Sequence, residues 1–106
     1  MPRETRKLLF DTQELETAAM DHCRGTGIAV PGDRPGTLVA GTDPAAALRL
    51  RFGADEIRLN QRQVGDALID YCQDTGIPIP RGALKSVRAE AGGIVMMIEP
   101  GMERAA

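Results

Sequence analysis

The chain has 106 residues, of which 42% are hydrophobic and 26% charged, and its formal net charge is −2 at pH 7. Its length predicts one domain over residues 1–106. Its slightly negative charge argues against a general nucleic-acid binder. It has no apolar run of ~18 residues, which argues against a membrane span. The two cysteines follow an N-terminus without the apolar segment of a signal peptide, which predicts reduced thiols and a cytoplasmic location.

Two stretches of the sequence repeat each other at an offset of 49 residues. Residues 18–31 and 67–80 are identical at seven of fourteen positions, well above chance. The sequence therefore predicts an internal duplication, with one repeat over about 8–52 and the other over about 57–99. Two copies are too few for a solenoid, so we expect a single pseudo-twofold domain. Residues 100–106 are expected to form a flexible tail.

The first repeat predicts the element order strand, helix, strand, strand. Asp11 and Glu14 have the spacing of a capping box, which indicates where the helix begins. Gly27 is placed as the left-handed residue just beyond the helix end, where Ile28 is expected to pack back on Cys23. The predicted elements of this repeat are a strand, a helix and two strands, at 7–10, about 12–25, 37–40 and 47–52.

The second repeat predicts the same order, with Asn60 and Gln63 as the capping box and Gly76 at the helix end. Gly65 lies within this helix and predicts either a weak point or close packing on a neighbour. The predicted elements are at 56–59, about 61–74, 83–90 and 93–99, with an Ala-Gly-Gly turn before the last strand. The two repeats together predict an α+β, two-layer domain with two helices packed on a mainly antiparallel sheet.

The cysteines and the histidine do not form a convincing catalytic pattern. His22 and Cys23 are adjacent on a predicted helix, so their side chains point about 100° apart. One histidine and two cysteines also lack the number and spacing of metal ligands, and a Cys23–Cys72 disulfide is disfavoured by the predicted compartment. The sequence therefore predicts no enzyme activity, no metal and no cofactor.

Arginines near the junction of the repeats form the first candidate binding site. Arg49 and Arg51 alternate with apolar residues in one predicted strand, and Arg58 does so in the next. If these strands pair, the three arginines share one sheet face, with Arg62 and Arg88 expected near it. Such a face can bind phosphates or an acidic protein, although a solvated sheet face is the other interpretation.

The last predicted strand, GIVMMIE, is the second candidate. With five consecutive apolar residues, neither side of this strand is polar enough to face solvent. Either both sides are covered within the chain, or one side contacts a second copy. We expect a homodimer whose candidate interface residues are Ile94, Met96, Met97 and Ile98. The predicted function is a non-enzymatic binding or accessory protein acting through protein–protein contacts; the alternative is nucleic-acid or phospholigand binding through the arginine face.

Overall fold

The computed structural model describes residues 6–79, 84–90 and 93–99. Within them the chain forms two α-helices, α1 (Thr12–Thr26) and α2 (Gln61–Thr75), and a short 3₁₀ helix, Pro44–Ala46, which the sequence did not predict. The strands are β1 (Arg6–Phe10), β2 (Thr37–Ala40), β3 (Leu48–Phe52), β4 (Asp55–Leu59), β5 (Leu84–Glu90) and β6 (Gly93–Glu99). The predicted tail at 100–106 and residues 91–92 of the predicted turn lie outside the described residues.

The six strands form two sheets instead of the single sheet that the sequence predicted. Sheet A has the strand order β1-β6-β5 and sheet B the order β2-β3-β4, and all pairs are antiparallel. Each sheet therefore takes a hairpin from one half of the chain and a single strand from the other half. The α+β class is confirmed, whereas the layer of strands is divided because β1 and β4 each add to the hairpin of the opposite half.

Both helices begin with the predicted capping box. The carboxylate of Asp11 accepts a hydrogen bond from the Glu14 N–H at 2.9 Å, and the Glu14 side chain accepts one from the Asp11 N–H at 3.0 Å. Asn60 and Gln63 make the same two bonds in α2, each at 2.8 Å. These bonds satisfy N–H groups that have no partner inside a helix, so they fix where each helix begins.

The helix ends explain why Cys, Gly and Ile recur at equivalent positions of the two repeats. Gly27 adopts a φ of 80°, and the Ile28 N–H donates to the Cys23 carbonyl at 2.8 Å, as a Schellman motif requires. In α2, Gly76 has the same φ, and the Ile77 N–H donates to the Cys72 carbonyl at 2.8 Å. Both isoleucines pack against the apolar core to which both cysteines belong.

One apolar core joins both helices to both sheets. Aliphatic side chains dominate it, and its largest fully buried members are Leu15, Leu48, Leu50, Leu59, Leu68, Ile94, Met96 and Val64, together with the two cysteines. We call the side of each sheet that faces this core its inner face, and the opposite side its outer face. At Gly65 an added Cβ would meet open space, so the close packing considered for this residue is not found.

Candidate functional site

The arginine face is formed on the outer side of sheet B. In the pairing of β3 with β4, Arg49 lies directly opposite Arg58. Arg51 lies directly opposite Glu56 in the same ladder. Residues directly opposite each other in an antiparallel pair point to the same face, so the three arginines share one surface, as the alternation of apolar and charged residues predicted.

Glu56 partly neutralises this face. Its carboxylate accepts hydrogen bonds from Arg58 Nε at 2.9 Å and from Arg51 Nε at 3.2 Å. The bond from Arg58, with a smaller contribution from Arg51, lowers the pKa of the Glu56 carboxyl. Arg49 is half-buried, and it makes no ion pair within the described part of the chain. Two like charges directly opposite each other destabilise a ladder, so an anion between Arg49 and Arg58 would relieve that repulsion.

The other two arginines are not on this face. Arg62 is exposed in the first turn of α2, where it lines a groove of about 330 Å³ between that helix and sheet A. Arg88 is exposed on β5 of the other sheet, and its guanidinium donates to Glu90 at 3.2 Å. The structure thus brings together three of the five predicted arginines.

Three of the four candidate dimer residues belong to the core of a single chain. Ile94, Met96 and Ile98 are on the inner face of sheet A, with 1%, 0% and 3% of their surface exposed. They have no surface left to offer a second copy, because the chain's own core covers them. Met97 points to the outer face and is half-buried. The apolar run is therefore explained largely by the fold of one chain.

The outer face of sheet A carries an apolar residue that the sequence analysis did not single out. Leu9 is 59% exposed, and it lies opposite Val95 in the pairing of β1 with β6. Lys7 lies opposite Met97 on the same face, and its ammonium is 2.8 Å from the carboxylate of Glu90 on the far strand. The signal was present in KLLF: strict alternation places its second leucine on the side opposite Phe10.

The cysteines and the histidine lie in or next to the core. Cys23 and Cys72 are free thiols with no exposed surface, and burial raises the pKa of each. His22 is buried, and its Nδ1 has no hydrogen-bond partner among the described residues. Within those residues no group of three or more histidine, cysteine or acidic side chains is arranged to hold a metal ion.

Comparisons with protein families, with curated proteins and with solved structures found no match to this chain. Neither helix in the described part of the chain has the length and apolarity needed to cross a bilayer. What the geometry defines is a small α+β domain with two three-stranded antiparallel sheets. Its two candidate surfaces are the outer faces of those sheets, one apolar at its centre and the other rich in arginine.

Proposed function

We propose that the protein is a non-enzymatic binding protein that acts through protein–protein contacts and forms a homodimer through the outer face of sheet A. The observation that carries this proposal is the exposure of Leu9 beside Met97 on a face that points away from the helices. In the described part of the chain, Leu9 is the one large apolar residue that is exposed. Covering this small apolar centre with a second copy removes it from water.

The charges around this centre favour a second copy of the same chain as the partner. A twofold interface places one patch against itself, so the patch must be self-complementary. The outer face of sheet A carries the cations Lys7 and Arg88 together with the anion Glu90. A face with both signs of charge around an apolar centre meets that requirement, whereas a face of one sign would repel its copy.

Light scattering after size exclusion, at tens of micromolar protein, tests the dimer. We expect a dimer for the wild type and a monomer for Leu9→Glu, because the change removes the apolar contact and takes a charge out of water at the interface. Val39→Glu, a change at a half-buried valine on sheet B, is the matched control and leaves the dimer intact. A monomeric wild type contradicts the proposal, and a dimeric Leu9→Glu protein contradicts the assigned face.

A second candidate function is phospholigand or nucleic-acid binding through Arg49, Arg51 and Arg58. The observation in its favour is that Arg49 lies directly opposite Arg58 and itself makes no ion pair among the described residues. Binding of a short single-stranded RNA, measured by fluorescence anisotropy, should weaken steeply with salt and be lost when all three become glutamate. A triple reversal elsewhere, Arg24, Arg34 and Arg62 to glutamate, is the control for total charge. If no RNA binds even at low salt, nucleic-acid binding is ruled out as the function of this face.

We also infer that the two halves arose by internal duplication and are related by a pseudo-twofold axis. We further infer that the protein functions in the cytoplasm. Supporting the duplication, the strand order of sheet A becomes that of sheet B when β1 is exchanged for β4, β5 for β2 and β6 for β3. Both helices have fifteen residues, the same kind of capping box and a left-handed glycine at the end. The free thiols of Cys23 and Cys72 support a reducing compartment.

A further inference from the structure

A groove of about 270 Å³ runs between α1 and α2. Two buried alanines at equivalent positions of the repeats, Ala18 and Ala67, are among its lining residues. Among the described residues, three carboxylates line it, those of Asp21, Asp70 and Asp74. Asp21 and Asp70 are one of the identical pairs of the repeat, and the turn bonds that explain the repeated Cys, Gly and Ile do not involve their side chains.

His22 provides an independent indication of a ligand in this groove. His22 lines the groove, more than nine-tenths of the residue is buried, and Nδ1 has no hydrogen-bond partner in the described residues. Buried side-chain nitrogens without a partner are uncommon in folded proteins. Nδ1 itself has almost no exposed surface, so the ring must turn for a group in the groove to reach it. A donor entering the groove would give it the missing hydrogen bond.

The charges in the groove select a cation. Asp70 and Asp74 are one turn apart on α2, and neither makes an ion pair within the part of the chain that the structure describes. Asp21 already has Arg24 at 3.8 Å, so the carboxylates on α2 are the freer acceptors. The described side chains form no metal-binding cluster of three or more ligands, which favours an organic cation over a metal ion.

We propose that this groove binds the guanidinium group of an arginine side chain carried by a partner protein. A guanidinium offers five N–H donors in one plane, enough for a bidentate contact to a carboxylate and a further bond to His22. Tyr71 also lines the groove, and a guanidinium can stack on a tyrosine ring. The groove is smaller than most pockets for whole small molecules, which suits a single side chain.

This site is separate from the outer face of sheet A, so its test does not depend on the dimer. The probe is Nα-acetyl-arginine N-methylamide, which reproduces an arginine within a peptide, titrated into the full chain and followed by NMR. We expect saturable shifts of the His22 imidazole and Tyr71 ring signals. Free methylguanidine at the same concentrations is expected to bind more weakly, because it lacks the backbone atoms of a peptide.

Two double variants give the decisive comparison. Asp70→Asn with Asp74→Asn should weaken binding by about tenfold or more, since both charge-assisted hydrogen bonds are lost. Asp55→Asn with Asp66→Asn removes the same charge from exposed positions outside the groove and should leave binding within about twofold. All the variants retain every helix cap, and amide NMR spectra report whether each one folds.

Three outcomes overturn the proposal. The first is the absence of saturable shifts in the wild type. The second is an equal loss of binding in both double variants, which would mean that net charge alone attracts the probe. The third is an equal affinity for one of two other compounds. Equal binding of Nα-acetyl-lysine N-methylamide would mean that the groove does not select a guanidinium. Equal binding of methylguanidine would mean that the peptide backbone contributes nothing to binding.

Discussion

The ammonium of Lys7 and the carboxylate of Glu90 lie 2.8 Å apart, and they join the two edge strands of sheet A across the central strand. Val95 lies on the same outer face of that central strand and has no exposed surface. Arg88, directly opposite Val95, also donates to Glu90. A small ion cluster therefore spans the face on which we propose that a second copy binds.

The stability of the fold should depend on the ionisation of Glu90. The hydrogen bond from Lys7 lowers the pKa of this carboxyl below its ordinary value of 4.5. A lowered pKa contributes stability above the unfolded-state pKa, and that contribution is lost as pH falls through the folded-state pKa. Glu90→Gln should therefore reduce the free energy of unfolding at pH 7 but not in acid below both pKa values.

Urea denaturation of wild type and Glu90→Gln at a series of pH values measures this difference. Added salt should shrink the difference at neutral pH, since the pair is partly exposed and is screened by ions. Asp66→Asn, at an exposed position on α2, removes one carboxylate that makes no ion pair among the described residues and is the control for net charge. A difference between wild type and Glu90→Gln that is constant from neutral pH to acid contradicts the role assigned to the ion pair.

The helices were predictable from sequence because their boundaries are encoded locally. A capping box needs only two residues three positions apart, and a Schellman motif needs a glycine followed by an apolar residue. Asp11 with Glu14, and Gly27 with Ile28, satisfy those rules without reference to the rest of the chain. The boundaries observed for α1 and α2 differ from the predicted ones by one residue at the C-terminal end.

The division into two sheets was not predictable in the same way. Alternation indicates which residues of a strand share a face, but it does not indicate which strand lies beside it. The pairing of Leu8 with Met96 joins residues far apart in sequence, and no local pattern specifies it. For the same reason the apolar run of β6 suggested a partner chain, whereas β1 and the core of the same chain cover its inner face.

Replacing Gly65 with alanine should stabilise the protein. Glycine within a helix costs about 1 kcal/mol relative to alanine, and an added Cβ at this position meets no atom within 4 Å. We therefore expect the free energy of unfolding to rise by about 0.5–1 kcal/mol in urea denaturation. Gly76→Ala is the matched control on the same helix, because its φ of 80° makes alanine unfavourable there by about 1 kcal/mol. If Gly65→Ala and Gly76→Ala changed the free energy of unfolding in the same direction, the different surroundings assigned to these two glycines would be wrong.

Gly93→Ala should destabilise the protein for a different reason. Gly93 begins β6, where a Cβ would collide with the backbone carbonyl oxygen of Phe10 on β1. A backbone atom in a sheet cannot move aside as a side chain can, so we expect a loss of about 1–3 kcal/mol. Gly25→Ala, in α1, adds the same methyl group in open space and is the control. A Gly93→Ala protein as stable as wild type would mean that the two strands separate easily at this end.

Both thiols should react with an alkylating reagent only when the chain opens. Cys23 and Cys72 have no exposed surface, and burial raises the pKa of each, so the native state offers little accessible thiolate. We expect alkylation by iodoacetamide at pH 8 to be slow in buffer and to accelerate in urea in proportion to the unfolded fraction. The single variants Cys23→Ala and Cys72→Ala separate the two sites. Native alkylation as fast as that of a free thiol at either position contradicts its burial beneath the end of the helix.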